Sequence, residues 1–496
     1  MLASRLFIMI VIILSLLIGL SSVRKKPCLS GELCSLKNQK IQGWAQIQSC
    51  KTKPDFTSCY LSDVKVDYVG SQFDDEAKDF KAYKGKALVR INNQAFIDWQ
   101  YADLVAFTGT IEEPENFADF NYKKFLEKRG VRVIIKKAQM EKLVSGENRL
   151  QNLEVGQQLK LFLARAKTYW EQKLFEIWPD KKIAGLVKAL LLGDKTWINQ
   201  DFYRKIQIAG VAHLVAVSGM HIGILILICW ELLKIFRINR ATKVILTHIL
   251  LLVFVAMIGM PASALRAWLM SILIFTGKLS GRRIDLNRIL LISCLLLLLI
   301  NPYYLFYDLG FELSFLAVAG LINILPWLEK FYSQLLKKSN PISQKKESQP
   351  IRKTNLTILN KLWHWAGKLI LASLAVQIAI LPLLVKSFGL ISVISLITNL
   401  LAAWAIFPII IFTLLSLALV GFSKTLAEIP GFLVEILGSY LIFLINKAAS
   451  FSWASLEINP KSWVYVLAGS LIVVIVIWPV RLRKFFNFQN NPGREV

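Results

Sequence analysis

The sequence predicts an α-helical polytopic membrane protein with an extracytoplasmic, OB-like β-barrel domain. Three observations carry that reading. Of 496 residues, 55% are hydrophobic, too many for one soluble domain and typical of a polytopic membrane protein. Apolar runs near or above the length of a bilayer crossing recur at 6–20, 214–230, 244–260, 289–300, 311–325 and 462–478. Between the first two lies a polar stretch of alternating, β-branched segments separated by turn residues.

Residues 1–23 are expected to form an uncleaved membrane anchor, because the flank SSVRKKPC offers no small-x-small cleavage site. Residues 24–160 are expected to form the barrel domain. WAQIQSC, CYLSDVKVDYV, KALVRIN, LVAFTGTI and VRVIIKKA are its strands, and KGK, INNQ and EEPEN its turns. Five short strands fit a small OB-type barrel. Cys28, Cys34, Cys50 and Cys59 all fall in this domain, a clustering that outside the cytoplasm favours disulfides. Three pairings are open; 28–34 and 50–59 close short local loops, and reduced thiols are the alternative. Cys229 and Cys294 sit in apolar runs as small core residues.

Residues 161–182 read as an amphipathic interfacial helix ending at Trp178-Pro179, with Trp170 and Trp178 suited to a membrane boundary. Membrane domain follows in two parts, 183–327 and 369–480. A basic cytoplasmic linker, 328–368, divides them, and a basic tail, 481–496, follows. The formal net charge is +26. In a soluble protein that would suggest nucleic acid, but basic residues also collect in cytoplasmic loops. Lys234, Arg237, Arg240 and Lys243 flank one loop; Lys278, Arg282, Arg283 and Arg288 flank a second. Placed in the cytoplasm with the linker and tail, they leave 261–263, 301–310 and 448–461 outside, nearly free of lysine and arginine. That parity expects 391–404 to dip into the membrane and 405–422 to cross. Arg24, Lys25 and Lys26 clash with it, lying on the outer side.

The run AHLVAVSGMHIG (212–223) sets His213, Ser218, Gly219, His221 and Gly223 inside apolar sequence, just after Gly210. Such a mixture predicts a broken helix, tolerated only where protein or a water-filled cavity surrounds the freed backbone. Two readings stand side by side: the polar groups line a route, or they tie packed helices together. A metal site is not expected, since His213 and His221 lie about 80° apart on an ideal helix with no third ligand near. An intramembrane hydrolase would need Ser218 and His221 as a catalytic pair, but their spacing within one turn argues against it. In MPASALRAWLM, Pro261 opens a helix and Arg266 lies one turn inside it. That arginine must find a carboxylate, carbonyls, water or a polyanion. Glu312 and Asp194 are the candidate carboxylates, and a structural charge pair is the plain alternative. Gln377 and Pro382 interrupt the run at 373–389, and Asn399 the next.

No GxxxxGK[ST] phosphate loop occurs, so no nucleotide cofactor is expected. Four histidines, at 213, 221, 248 and 364, cannot assemble an HxHxDH cluster. In the barrel domain, Lys81, Tyr83, Lys84, Lys86, Arg90, Phe96 and Trp99 interleave bases with aromatics, as single-strand-binding faces do. Asp74, Asp75, Glu76 and Asp79 beside them also fit an ordinary solvated face.

ALLLGDKTWINQDFYRKIQIAGVAHLVAVSGMHIGIL resembles the signature of the ComEC-type competence protein family. GMPASALRAWLM, GRRIDLNRILLISCLLLLLINPYYLFYDLGFELSFLAVAG and SLAVQIAILPLLVKSFGLISVISLITNLLA follow in the family's order. FTGTIEEPENFADFNYKKFLEKRGV is similar to the end of its extracytoplasmic OB-like domain, so the resemblance runs from about residue 40 to 450. It implies a multi-pass bacterial inner-membrane channel passing single-stranded DNA into the cytoplasm during natural transformation. It also implies membrane lipid, a cytoplasmic DNA-translocating ATPase and an extracytoplasmic DNA receptor as partners, and is compatible with an oligomer. Many members have more helices before the barrel and a metallo-β-lactamase-like domain after the membrane part. Neither is recognised here, so the nuclease step is expected of a separate protein, and no catalytic residue is expected in this chain. On this reading Asp194, His213, Ser218, His221, Arg266, Glu312, Gln377 and Asn399 line the channel. Gly210, Gly219, Gly223, Pro261 and Pro382 break its helices. Alternatives are a transporter of another solute or polymer, an intramembrane hydrolase, and a non-conducting DNA-docking subunit.

Overall fold

The computed structural model describes residues 38–52, 56–68, 81–82, 86–92, 99, 101–116, 122–127, 129–144, 155–339, 358–459, 462 and 464–465. The expected anchor, Cys28, Cys34, Tyr83, Lys84, Phe96, the centre of the linker, most of the last apolar run and the tail lie outside them.

The alternating segments form β1 (Lys40–Thr52), β2 (Phe56–Tyr68), β4 (Lys86–Asn92), β5 (Leu104–Glu112) and β6 (Val131–Val144), with a two-residue β3 (Lys81–Ala82) added to β2. β1 pairs antiparallel with β2 and β5, β2 with β4, and β5 with β6; β4 and β6 run parallel. The circuit β1–β2–β4–β6–β5–β1 closes, which removes free sheet edges and gives the five-stranded Greek-key barrel of the OB type. Alternation is the cause: along β5 every second residue is buried, among them Val105, Phe107 and Ile111. These meet Ile41, Ile47, Leu61, Val89, Val133 and Ile135 in one apolar core. Cys50 and Cys59 face each other across β1 and β2 and are disulfide-bonded. A short helix, α1 (Tyr122–Glu127), packs Leu126 against Leu88, Val131 and Ile134. Asp103 is fully buried and ion-pairs with Lys142 at 2.7 Å.

The remaining elements are helical: α2 (Val155–Ile177), α3 (Lys181–Leu192), α4 (Gln200–Ile208), α5 (Gly219–Lys234), α6 (Arg240–Met257), α7 (Ala262–Leu279) and α8 (Leu286–Ile300). There follow α9 (Tyr304–Tyr307), α10 (Leu309–Asn323), α11 (Leu325–Ser339), α12 (Ile358–Phe388), α13 (Ser395–Val420) and α14 (Lys424–Ala449). Among the described residues, six helices are long and apolar enough to cross a membrane: 240–257, 262–279, 309–334, 366–388, 395–420 and 424–449. Leu246, Ile249, Leu250 and Val253 on α6, and Phe432, Ile436 and Phe443 on α14, are large apolar side chains left exposed, as a lipid-facing surface requires.

Two expectations change. Residues 391–404 do not form a separate dip: β7 (Leu390–Ser392) pairs with β8 (Ser455–Glu457), and α13 then runs unbroken for 26 residues. At about 1.5 Å per residue that is long enough for the whole hydrocarbon core. Crossing parity is unaltered, and the strand pair puts 390–392 and 455–457 at the same end of the bundle. The amphipathic segment starts earlier, at Val155, and breaks at Trp178-Pro179 as expected. It does not lie free along a surface, however. The Trp178 indole donates to the Gly431 carbonyl at 3.0 Å, and Gly438 packs on Ile183 and Leu186. The α2–α3 hairpin is thus wedged against α13 and α14, where glycines leave room for it.

Candidate functional site

The apolar run around residue 212 is broken. α4 stops at Ile208, residues 209–218 are non-helical, and α5 starts at Gly219. α5 has 16 residues, about 24 Å, short of a roughly 30 Å hydrocarbon core. The backbone groups released by the break need partners, and hydroxyls from other segments supply them. Ser392 donates to the Ile208 carbonyl at 2.6 Å, Thr398 to Ala209 at 2.5 Å, and Ser263 to Val217 at 2.8 Å. Gln377 donates to the Ser395 hydroxyl, which in turn donates to the Ser392 carbonyl at 2.8 Å. Gly210 has φ +75°, and a Cβ there would lie 2.2 Å from the Ser395 Cβ, so conformation and space both demand glycine. Val211, Leu214 and Val215 pack into the core shared by α3, α13 and α14; Val217 packs into that of α5 to α8 and α10. The break is therefore held between two packed clusters.

At its end, the Ser218 hydroxyl lies 3.0 Å from His221 Nδ1, and the Ser218 amide donates to the same nitrogen at 3.2 Å. Nδ1 is thereby the accepting nitrogen, which leaves the proton of a neutral ring on Nε2. His221 is 3% exposed, and Nε2 has no partner among the described residues. Among the described residues no carboxylate orients the ring, so there the pair lacks the third member of a hydrolytic triad and serves to shape the first turn of α5. His213 is exposed, sits against the Gly210 backbone, and lies within electrostatic range of His221.

Arg266 reaches the same place from α7. Pro261 caps that helix with extended backbone, as its position suggests. The guanidinium is 6% exposed. Nη1 donates to the Ser314 carbonyl, the group lies 5.8 Å from the Phe315 ring, and Nη2 stands 3.0 Å from where a Gly219 Cβ would be. Neither expected carboxylate pairs with it. Asp194 lies 3.3 Å from the buried Lys188, which also reaches Glu171 at 3.2 Å; Lys167 completes the group. Glu312, in the first turn of α10, has Lys386 as its charged neighbour. Lys188 was legible as a cation inside the apolar run LVKALLLG, but it was missed. Gly223 lies within unbroken α5 with open space around it, and Pro382 lies within α12; neither interrupts its helix. The Asn399 side-chain oxygen is buried without a partner.

On the barrel, Arg90 donates to the Tyr122 hydroxyl at 3.0 Å and Arg129 to that of Tyr60 at 2.6 Å. Both guanidiniums lie within 6 Å of the partner ring. Tyr60 on β2 and Arg90 on β4 belong to the two strands that carry ligands in OB folds; Tyr60, Tyr122 and Arg129 were not anticipated. Burial, then Lys160, lowers the Lys86 ammonium from its usual range, Asp63 acting the other way. Lys81 is placed by its backbone alone, and Trp99 packs against the barrel core. Among the described residues no group of three His, Cys, Asp or Glu could hold a metal.

A closed OB-like barrel followed by a bundle with six helices long and apolar enough to cross a membrane, packed around a non-helical segment that meets a buried arginine, defines a multi-pass membrane protein. A family model described as Competence protein matches residues 190–482, well over half of the chain, and the chain belongs to that family. The match takes in the break, Arg266, Glu312, Gln377 and Asn399. The chain is also 27% identical over 316 residues to ComE operon protein 3 of Bacillus subtilis (strain 168). That alignment covers 64% of this chain and 36% of the relative, so the chain spans about a third of that protein's length. No solved structure matches.

Proposed function

We propose that this protein carries single-stranded DNA across the bacterial cytoplasmic membrane during natural transformation. The observation that supports this reading most is the broken helix of a competence-family bundle. Non-helical backbone at membrane depth is tolerated where it lines a cavity or is buried in protein, and here it brings Arg266 and both histidines to one place. A polyanion cannot shed its water into lipid, so its path must offer polar and cationic groups. Loop charge supports a barrel on the outer side, where Tyr60, Arg90, Tyr122 and Arg129 suit stacking and phosphate contact with a strand. The basic loops on the other side suit its reception, with binding that weakens as salt rises. The sequence has no nucleotide-binding loop, so a cytoplasmic DNA-translocating ATPase supplies the work. An outer receptor delivers DNA, and a separate nuclease removes the second strand.

The test is uptake of labelled DNA into the cytoplasm by wild-type cells and by an in-frame deletion. Internalisation in wild type, with DNA held at the surface of the deletion strain, is expected. Equal internalisation in both would overturn the proposal. Loss of surface binding itself would indicate a docking subunit instead.

A further inference from the structure

Among the described residues Arg266 is a buried cation without a counter-charge. It is 6% exposed, and it bonds one carbonyl, that of Ser314, and one aromatic face, that of Phe315. Nε is buried without a partner, and no carboxylate pairs with the group among the described residues. An unpaired charge in a bundle interior costs several kcal/mol, which one carbonyl and one aromatic face offset only in part. Its free edge, Nη2, faces the first residue of α5 at Gly219. There the helix presents amides with no intrahelical acceptor and the positive end of its dipole. Two residues on, His221 is 3% exposed, with Nε2 unpartnered among the described residues. A helix start and a guanidinium thus meet at Gly219, and the same first turn carries the unpartnered Nε2 of His221.

We infer that this convergence is a seat for one phosphodiester monoanion: the Arg266 guanidinium supplies the charge, and the α5 amides and His221 the remaining donors. Planar guanidinium and helix N-terminus are both matched to phosphate oxygens. Gly219 is part of the design, since a Cβ there would press on Nη2 at 3.0 Å. The inference rests on the transport reading, which makes the phosphodiester that of a passing strand. A phospholipid headgroup offers the same chemistry and is the competing source. The seat would hold the strand one phosphate at a time at the break, a register point between barrel and basic loops.

The experiment uses the full chain, purified in phosphate-free maltoside, with a benzophenone amino acid at exposed Met220. Labelled oligothymidylate is the probe. Wild type should cross-link it. Arg266→Gln should lower the yield about tenfold or more, the loss of one charge-assisted contact, while Arg266→Lys keeps part of it. A methylphosphonate strand, uncharged, should fail even with wild type. Equal yield from wild type and Arg266→Gln, both monodisperse, would overturn the seat. So would loss of bound phospholipid by native mass spectrometry with strand capture unchanged, which assigns the site to lipid. The transport reading fails separately. Normal uptake by Arg266→Gln cells beside a defective deletion strain sinks the seat alone, whereas normal uptake in the deletion strain sinks both.

Discussion

Asp103 and Arg266 are both buried charges, served in opposite ways. Asp103, in the barrel, is fully buried and meets the Lys142 ammonium at 2.7 Å. Arg266, in the bundle, is nearly as buried and meets a carbonyl and a ring. The first charge is neutralised within the fold and holds strands together. The second has no carboxylate partner among the described residues. The Lys188 group shows that this bundle can pair a buried cation when structure requires it: Lys188 has two carboxylates within 3.3 Å. The lone charge at Arg266 is therefore a property of that site and not of helical membrane packing.

Substitutions sharpen the contrast. The largest effect on folding is expected from Gly210→Ala at the break. A left-handed residue with a side chain costs about 1–2 kcal/mol, and the overlap with Ser395 adds about 1–3 kcal/mol more. The amount of folded protein in membranes, read by protease resistance, should fall sharply; near-normal resistance would mean that the break is loosely held. Lys142→Ala should cost about 1–3 kcal/mol, because it removes a charged hydrogen-bonding partner from a fully buried carboxylate. Thermal loss of barrel resistance to proteolysis measures it, and an unchanged midpoint would remove Asp103 from the barrel's stabilising pairs. The smallest effect on folding is expected from Arg266→Gln. Removing an unpaired buried charge should leave thermal stability within about 1 kcal/mol of wild type or raise it, while uptake collapses. A large destabilisation would place Arg266 with Lys142 as structural.

The barrel was legible because its signal is local. Alternation in LVAFTGTI or KALVRIN decides which side chains face inward, and five such strands suggest a barrel, whose closure the pairing then shows. The break was legible too, since Gly210, Ser218 and His221 cannot sit comfortably in a lipid-facing helix. What could not be read was who meets whom. Arg266 and Ser314 are 48 residues apart, and their contact depends on how α7 crosses α10. Trp178 and Gly431 are 253 residues apart; composition showed an amphipathic helix, but only packing showed that it wedges against α13 and α14. Gly223 misled because glycine in a polar-looking run suggests a break, whereas α5 passes through it unbroken.

By itself, then, the sequence determined the two-part architecture, the strands and the place where a helix must stop. Those follow from periodicity and hydropathy, which act over one to a few turns of chain. Only the tertiary structure decided that Asp194 belongs to Lys188, that hydroxyls from Ser263, Ser392 and Thr398 mend the broken backbone, and that Arg266 meets no carboxylate among the described residues. Pairing of buried polar groups is set by distances of a few ångströms between distant segments, and no local pattern encodes them.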